Sequence, residues 1–219
     1  ILFFTNKGKL YRLKGYEIPE AGRTAKGTAI VNLLSLDNGE KVSAVIPIGV
    51  FADEKYLLMA TKNGLIKKTA LKEYDTVRKS GLQAITLKED DELIGVRLTD
   101  GQDNVVLVTK KGMSITFSEK DVRPIGRVAQ GVMGIRLDKD DAVIGMESII
   151  SGSNATLLAI TENGFGKRTE LEEYRVQIRG GKGVTTYKVT PKTGNIVGIR
   201  IANEEDDVML ITDTGTIIR

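Results

Sequence analysis

The chain has 219 residues, of which 41% are hydrophobic and 28% charged, with 24 Gly, 4 Pro, no Cys and no His. That composition supports a packed core and excludes a disulfide framework, thiolate or imidazole metal sites and most nucleophile–His catalysis. The net charge of +3 points only weakly to a polyanionic partner, so the placement of charge matters more than its sum.

The first predicted element is the apolar run Ile1–Phe4, closed by Thr5 and a turn at Gly8. The immediate turn means that no signal peptide is expected, and a chain opening inside a strand reads as part of a longer one. No apolar run approaches the roughly 20 residues of a membrane span. The same pattern, four apolar residues, Thr, two polar residues and Gly, recurs at LLMA-TKNG, VVLV-TKKG, LLAI-TENG and VMLI-TDTG. Its glycines, Gly8, Gly64, Gly112, Gly164 and Gly215, are 56, 48, 52 and 51 residues apart, which identifies a repeat architecture.

Each block predicts a strand, a tight turn and a second strand. Asn63-Gly64 and Asn163-Gly164 suit a turn with positive φ. The apolar run suggests a first strand covered on both faces. The second strands, KLYRL, LIKKT, MSITF, FGKRT and TIIR, are more polar and are expected to keep one face in solvent. A second glycine follows each complete hairpin, at Gly27, Gly81, Gly131 and Gly183. After it a third strand is predicted through alternating positions such as Ile85/Leu87 and Ile135/Leu137, and then a fourth at VSAVI, LIGVRL, VIGMES and IVGIRI. The reading is one all-β, propeller-like domain of four-stranded antiparallel units over about 1–54, 55–103, 104–153 and 154–207, with part of a fifth at 208–219. No helix of three turns or more is expected.

Basic residues recur in register. Four residues past the turn glycine stand Arg12, Lys68, Thr116, Arg168 and Arg219; before the second glycine stand Arg23 and Lys26, Arg78 and Lys79, Arg127, and Arg179 and Lys182. Acidic residues gather in the turns LDNGE, KEDDE and DKDDA. Stacked units would thus carry a basic rim separate from acidic turns. A curved basic band suits duplex DNA, whose bending costs several kcal/mol that many phosphate contacts can offset without reading bases. The candidate DNA-binding set is Arg12, Arg23, Lys26, Arg78, Lys79, Arg127, Arg179 and Lys182, the hairpin residues Lys67, Lys68, Lys110, Lys111, Lys167 and Arg168, and Gly180 and Gly181, whose N–H groups could approach a phosphate.

The segments TNKGKLYRLKGYEIPEAGRTAKGTAIVNLL, TKNGLIKKTALKEYDTVRKSGLQAITLKEDDELIGVRLTDG and EKDVRPIGRVAQGVMGIRL resemble the C-terminal repeats of bacterial DNA gyrase A subunits. The resemblance implies a six-bladed β-pinwheel in which neighbouring blades exchange strands. It implies wrapping of double-stranded DNA on a basic perimeter for ATP-dependent negative supercoiling. The implied partners are an ATPase B subunit in a heterotetramer and the breakage-reunion part of the same polypeptide, and the implied place is the cytoplasm, at the nucleoid. It implies no catalytic residue, cofactor or metal in this domain, with ATP and Mg2+ used elsewhere in the enzyme. Gln177–Gly183 resembles the family's Gln-Arg-Arg-Gly-Gly-Arg-Gly heptad but departs from it at Ile178 and Lys182, and reads as the equivalent loop of a later blade. Tyr16, Tyr74 and Tyr174 sit at similar repeat positions and read as packing residues. Other readings are the DNA-bending domain of topoisomerase IV, a propeller-like protein-interaction scaffold, and a glycosidase using Asp90/Asp91 or Asp140/Asp141.

Overall fold

In the computed structural model, residues 1–76, 80–150 and 152–219 are described. The first repeat supplies β1 (Leu2–Thr5), β2 (Lys9–Arg12) and β3 (Val42–Ile46). The second supplies β4 (Tyr56–Thr61), β5 (Leu65–Ala70), β6 (Leu82–Gln83) and β7 (Leu93–Thr99). The third supplies β8 (Asn104–Thr109), β9 (Met113–Ser118), β10 (Val132–Met133) and β11 (Val143–Ile149). The fourth supplies β12 (Thr156–Thr161), β13 (Gly166–Glu170), β14 (Val184–Thr185) and β15 (Ile196–Ala202), and a last hairpin pairs β16 (Leu210–Ile211) with β17 (Ile217–Ile218). The fold is all-β: the helical pieces among the described residues are 3-10 turns of three or four residues.

The recurrent Thr has a local cause. Its hydroxyl accepts the N–H four residues on, as in Thr5–Lys9 (3.3 Å), Thr61–Leu65 (3.2 Å) and Thr109–Met113 (3.2 Å), which closes the turn while the glycine takes positive φ.

The sheets are ordered β3-β1-β2-β6, β10-β5-β4-β7, β11-β8-β9-β14 and β13-β12-β15. Three of them contain a strand from the next repeat: β6 pairs with β2, β10 with β5, and β14 with β9. The third strand of the second, third and fourth repeats thus spans only two residues and belongs to the preceding sheet, whereas the strand expected after Gly27 in the first repeat is not formed: that stretch holds a 3-10 turn at Ile30–Asn32. Ile85 and Ile135 are not strand residues but lie just past these strands, buried between sheets.

Period-2 alternation explains the apolar runs. Leu57 and Met59 of β4 face the first sheet, where they meet Leu2, Phe4 and Tyr74. Leu58 and Ala60, their neighbours, face the third sheet and meet Val105, Leu107 and Phe117. Val106 and Val108 of β8 turn the other way, to Leu157 and Ala159. Each buried Leu, Val, Met or Phe among these contributes about 1.5–3 kcal/mol, so the sheets are held face to face by continuous apolar layers.

Strands β3, β7, β11 and β15 adjoin one another at the centre, around a cavity of about 870 Å3 bordered by Gly95, Gly145, Arg200 and the segment Val208–Asp213. There Glu147 of β11 accepts hydrogen bonds from Arg97 of β7 (2.9 and 2.7 Å) and from Arg200 of β15 (3.1 Å), tying three sheets together. The short strands β6, β10 and β14 lie at the opposite, outer edge of their sheets.

Candidate nucleic-acid interface

Because each short strand follows a second glycine, the basic loop before that glycine is carried onto the preceding sheet's outer edge. Residues 123–131 run along β5: Lys68 bridges to Pro124 in parallel, and Ile125 N–H donates to Lys68 O at 2.9 Å. Residues 175–183 repeat this on β9, with a Thr116–Val176 bridge and Gln177 N–H donating to Thr116 O at 2.7 Å. Each loop also reaches the outer segment of the sheet before. Arg127 donates to Gln83 O at 3.0 Å, and Arg179, its repeat equivalent, donates to Met133 O at 2.8 Å. Gly180 N–H donates to Gly134 O at 2.7 Å, and Arg136 N–H to Gly181 O at 2.8 Å. Each of these two loops is thus bonded to the outer segment of the sheet before, forming an outer belt across the second and third sheets.

The belt carries only part of the basic set read from sequence. Lys182 is exposed and Arg127 and Arg179 are half-buried; Arg23 and Lys26 are exposed in the first repeat, where no short strand carries their loop onto a sheet edge. Arg78 and Lys79 lie outside the described residues. Lys111, Lys167 and Arg168 are exposed and Lys110 is half-buried, but these belong to the hairpins rather than to the loops. Arg12 is half-buried, stacked over Phe51 at 4.7 Å and donating to the backbone of Asp75.

Lys67 and Lys68 are corrected: both are buried and unavailable to phosphate. Lys67 Nζ donates to Ala84 O and Arg127 O, and Lys68 Nζ to Glu119 O at 2.7 Å. The expectation of a solvent face on the second strands fails at β5 and β9 because the next repeat's loop and short strand cover them. It holds at β13, whose outer side carries no strand among the described residues and whose side chains are exposed. Gly180 is also corrected, since its N–H is committed to Gly134 O. The separation of basic rim from acidic turns is incomplete, because Lys182 pairs with Asp138 at 2.8 Å. The acidic turns have a local role instead: Asp91 accepts Asn63 N–H at 2.8 Å and Asp141 accepts Lys111 N–H at 3.0 Å, capping the hairpin turns. Tyr74 and Tyr174 are packed in the core, but Tyr16 is 86% exposed and is not a packing residue.

Burial sets the electrostatics under the belt. It lowers the Lys67 ammonium to about 8, helped by the charge of Arg127, and it lowers Lys68 against the opposing pull of Glu119. Tyr11, at the position of Lys67 in the first repeat, is pushed up to about 12 by burial and by its hydrogen bond to Glu40.

A family model described as "DNA gyrase C-terminal domain, beta-propeller" matches residues 1–48, 55–100, 103–150 and 155–203. The chain belongs to this family. It is 56% identical over 219 residues to the DNA gyrase A subunit of Clostridium acetobutylicum and 44% identical over 220 residues to that of Staphylococcus aureus. All of the chain is matched, but it spans only about a quarter (26% and 25%) of these relatives. Among solved structures, the C-terminal domain of DNA topoisomerase IV aligns with a TM-score of 0.89 at 33% identity, covering 99% of this chain and 68% of that one. A DNA gyrase A C-terminal domain aligns with a TM-score of 0.84 at 28% identity, covering 99% and 70%.

Within this family fold, sequence reasoning missed the Arg97–Glu147–Arg200 bridge. Its signal was present, since the three residues occupy equivalent places in LIGVRL, VIGMES and IVGIRI and alternate in sign. It missed Lys67 as a strut as well, because the covering loop comes from 60 residues along the chain.

Proposed function

We propose that this chain binds double-stranded DNA on its outer belt without reading base sequence, and wraps it as a domain of a gyrase A subunit. The carrying observation is the continuity of the belt. The basic loops 123–131 and 175–183, of two successive repeats, are bonded to the outer segment of the sheet before. A stiff duplex bent along such an edge meets phosphate contacts at successive sheets, and these offset its bending energy. Arg23, Lys26, Arg127, Arg179 and Lys182 are the proposed contacts, with Arg78 and Lys79 joining them from the sequence pattern.

In the complete enzyme the wrapped DNA would be handed to the breakage-reunion part of the same polypeptide, and ATP-driven passage with the B subunit would leave negative supercoils. This domain would supply no catalytic group. The enzyme would act in the cytoplasm, at the nucleoid. The likeness to the topoisomerase IV domain supports a second reading, in which the belt bends DNA without trapping writhe.

Duplex binding measured against salt tests the reading. Each phosphate contact contributes about 0.9 to the slope of log K against log salt. Neutralising all five named residues is expected to flatten the slope by up to about 4.5 and weaken binding; an unchanged slope and affinity would refute the assignment. The writhe trapped on a relaxed plasmid separates wrapping from bending.

A further inference from the structure

Glu119 stands where the repeat does not require a carboxylate. It opens the 3-10 turn after β9, and the same position after β5 and β13 is filled by Leu71 and Leu171. All three are buried, Glu119 completely. A leucine satisfies that pocket by packing alone, whereas a carboxylate needs partners for both oxygens. Glu40, also buried, has them: Oε1 accepts from Thr5 Oγ1 at 2.6 Å, and Oε2 from Tyr11 Oη at 3.0 Å and Asp37 N–H at 2.8 Å. In Glu119 only Oε1 is so served, by Asp103 N–H at 2.7 Å and by the Thr99 hydroxyl. Its Oε2 is buried and accepts no hydrogen bond among the described residues; the ammonium of Lys68 stands 3.8 Å away.

Two further carboxylates face this group from the loop between β7 and β8. Asp100, Asp103 and Glu119 each place one oxygen within 4.8 Å of the others. Three carboxylates face two ammonium groups, Lys68 beside Glu119 and Lys55 near Asp103, which leaves an excess of negative charge that a divalent cation would neutralise. The loop joining the third and fourth sheets, 150–155, carries no carboxylate, and there the matching buried position is Leu171. The loop before β4 carries Asp53 and Glu54, but Lys55 stands there in place of Asp103 and Leu71 in place of Glu119, so of these junctions only that of the second and third sheets joins an acidic loop to a buried carboxylate. Ca2+ takes oxygens at about 2.3–2.6 Å, so ligands on opposite sides of the ion stand about 4.6–5.2 Å apart. Mg2+, at about 2.0–2.1 Å, demands near-ideal octahedral geometry and usually keeps several waters with one or two carboxylates, so a set of three carboxylates suits Ca2+ better. We propose that Asp100, Asp103 and Glu119 form a Ca2+ site at the junction of the second and third sheets. Asp100 is exposed, which gives the ion its entry, and waters complete the shell. This departs from the sequence reading, which expected no metal here, and it is independent of the proposed DNA role.

The test uses the whole chain after treatment with a chelator, with calorimetric titration and thermal unfolding in CaCl2 and then in MgCl2. The expected result is one Ca2+ per chain with a dissociation constant of about 10⁻⁴ M or below, and a Tm that rises and saturates with Ca2+. D100N/D103N is expected to lose at least tenfold in affinity while keeping the Thr99–Glu119 bond; should it fail to fold, D100N alone, altered at an exposed side chain, is expected to weaken binding several-fold. The proposal is overturned by an absent heat and unmoved Tm up to about 5 mM Ca2+, by equal binding in both variants, or by an equal response to Mg2+.

Discussion

Replacing Glu147 with Gln removes the charge at the centre of the sheet array while nearly keeping its shape. The Glu147 side chain is 8% exposed, against 27% for Arg97 and 73% for Arg200. Hydrogen bonds to a charged partner contribute about 1.5–3 kcal/mol each, and Arg97 makes two, at 2.9 and 2.7 Å. Water reaching Arg97 recovers part of that loss, and the Arg200 contact, at 3.1 Å and mostly in solvent, contributes about 0–1 kcal/mol. The net loss is about 3 kcal/mol. For a domain of this size that corresponds to a fall in Tm of about 6–12 °C. Thermal unfolding followed by circular dichroism measures it. R200Q is expected to cost under about 1 kcal/mol. R97M/E147M is expected to recover most of the loss of E147Q, because an apolar pair replaces a buried ionic one at little net cost. The reasoning fails if E147Q melts within about 1 °C of the unaltered chain, or if R200Q costs as much as E147Q.

Lys67 gives a pH signature. Its ammonium is at about 8 in the folded chain and at the ordinary 10.5 when unfolded, so from pH 8 to 10 the unfolded chain holds the extra proton and stability rises with pH. Relative to K67M, the unaltered chain should gain on the order of 2 kcal/mol across that window, read from paired melts; a parallel pH dependence would exclude a depressed Lys67. The second glycines separate conformational strain from collision. An alanine Cβ at Gly27 (φ +72°) meets nothing within 4 Å, whereas at Gly183 (φ +78°) it would lie 2.0 Å from Ser114 O. G27A should therefore cost about 1–2 kcal/mol and G183A at least about 3, and equal Tm losses would contradict the pairing of β14 with β9.

The repeat, the all-β class and the turn glycines were legible because each depends on neighbours in the chain. The Thr-x-x-Gly turn closes within five residues, and the four-residue apolar run reads directly as a strand with both faces covered. What sequence could not disclose was which sheet each third strand joins. Composition is the same whether Val132–Met133 pairs with its own hairpin or with β5, and that choice decides the fate of Lys67 and Lys68. Read as exposed second-strand lysines they are phosphate ligands; beneath the loop of the next repeat they are struts. Arg127 and Arg179 were legible as belt residues by their register. Their bonds to Gln83 O and Met133 O were not, since a contact some 45 residues away leaves no local pattern.

Strand sharing also bears on how a belt of loops can engage a stiff partner. Free loops would lose conformational entropy on meeting DNA, about 1–2 kcal/mol for each backbone residue fixed. Here 123–131 and 175–183 are already fixed by folding, through the Ile125–Lys68 and Gln177–Thr116 backbone bonds and the two arginine contacts. Under the proposed function, the interaction energy of their cations would then be free to offset the cost of bending the duplex. The same bonds restrain those cations: Arg127 and Arg179 each have one face turned to a carbonyl, and Lys182 is held by Asp138. A phosphate must therefore share these groups rather than capture them. That favours many modest contacts along the edge over a few strong ones, as the proposed sequence-tolerant wrapping would require.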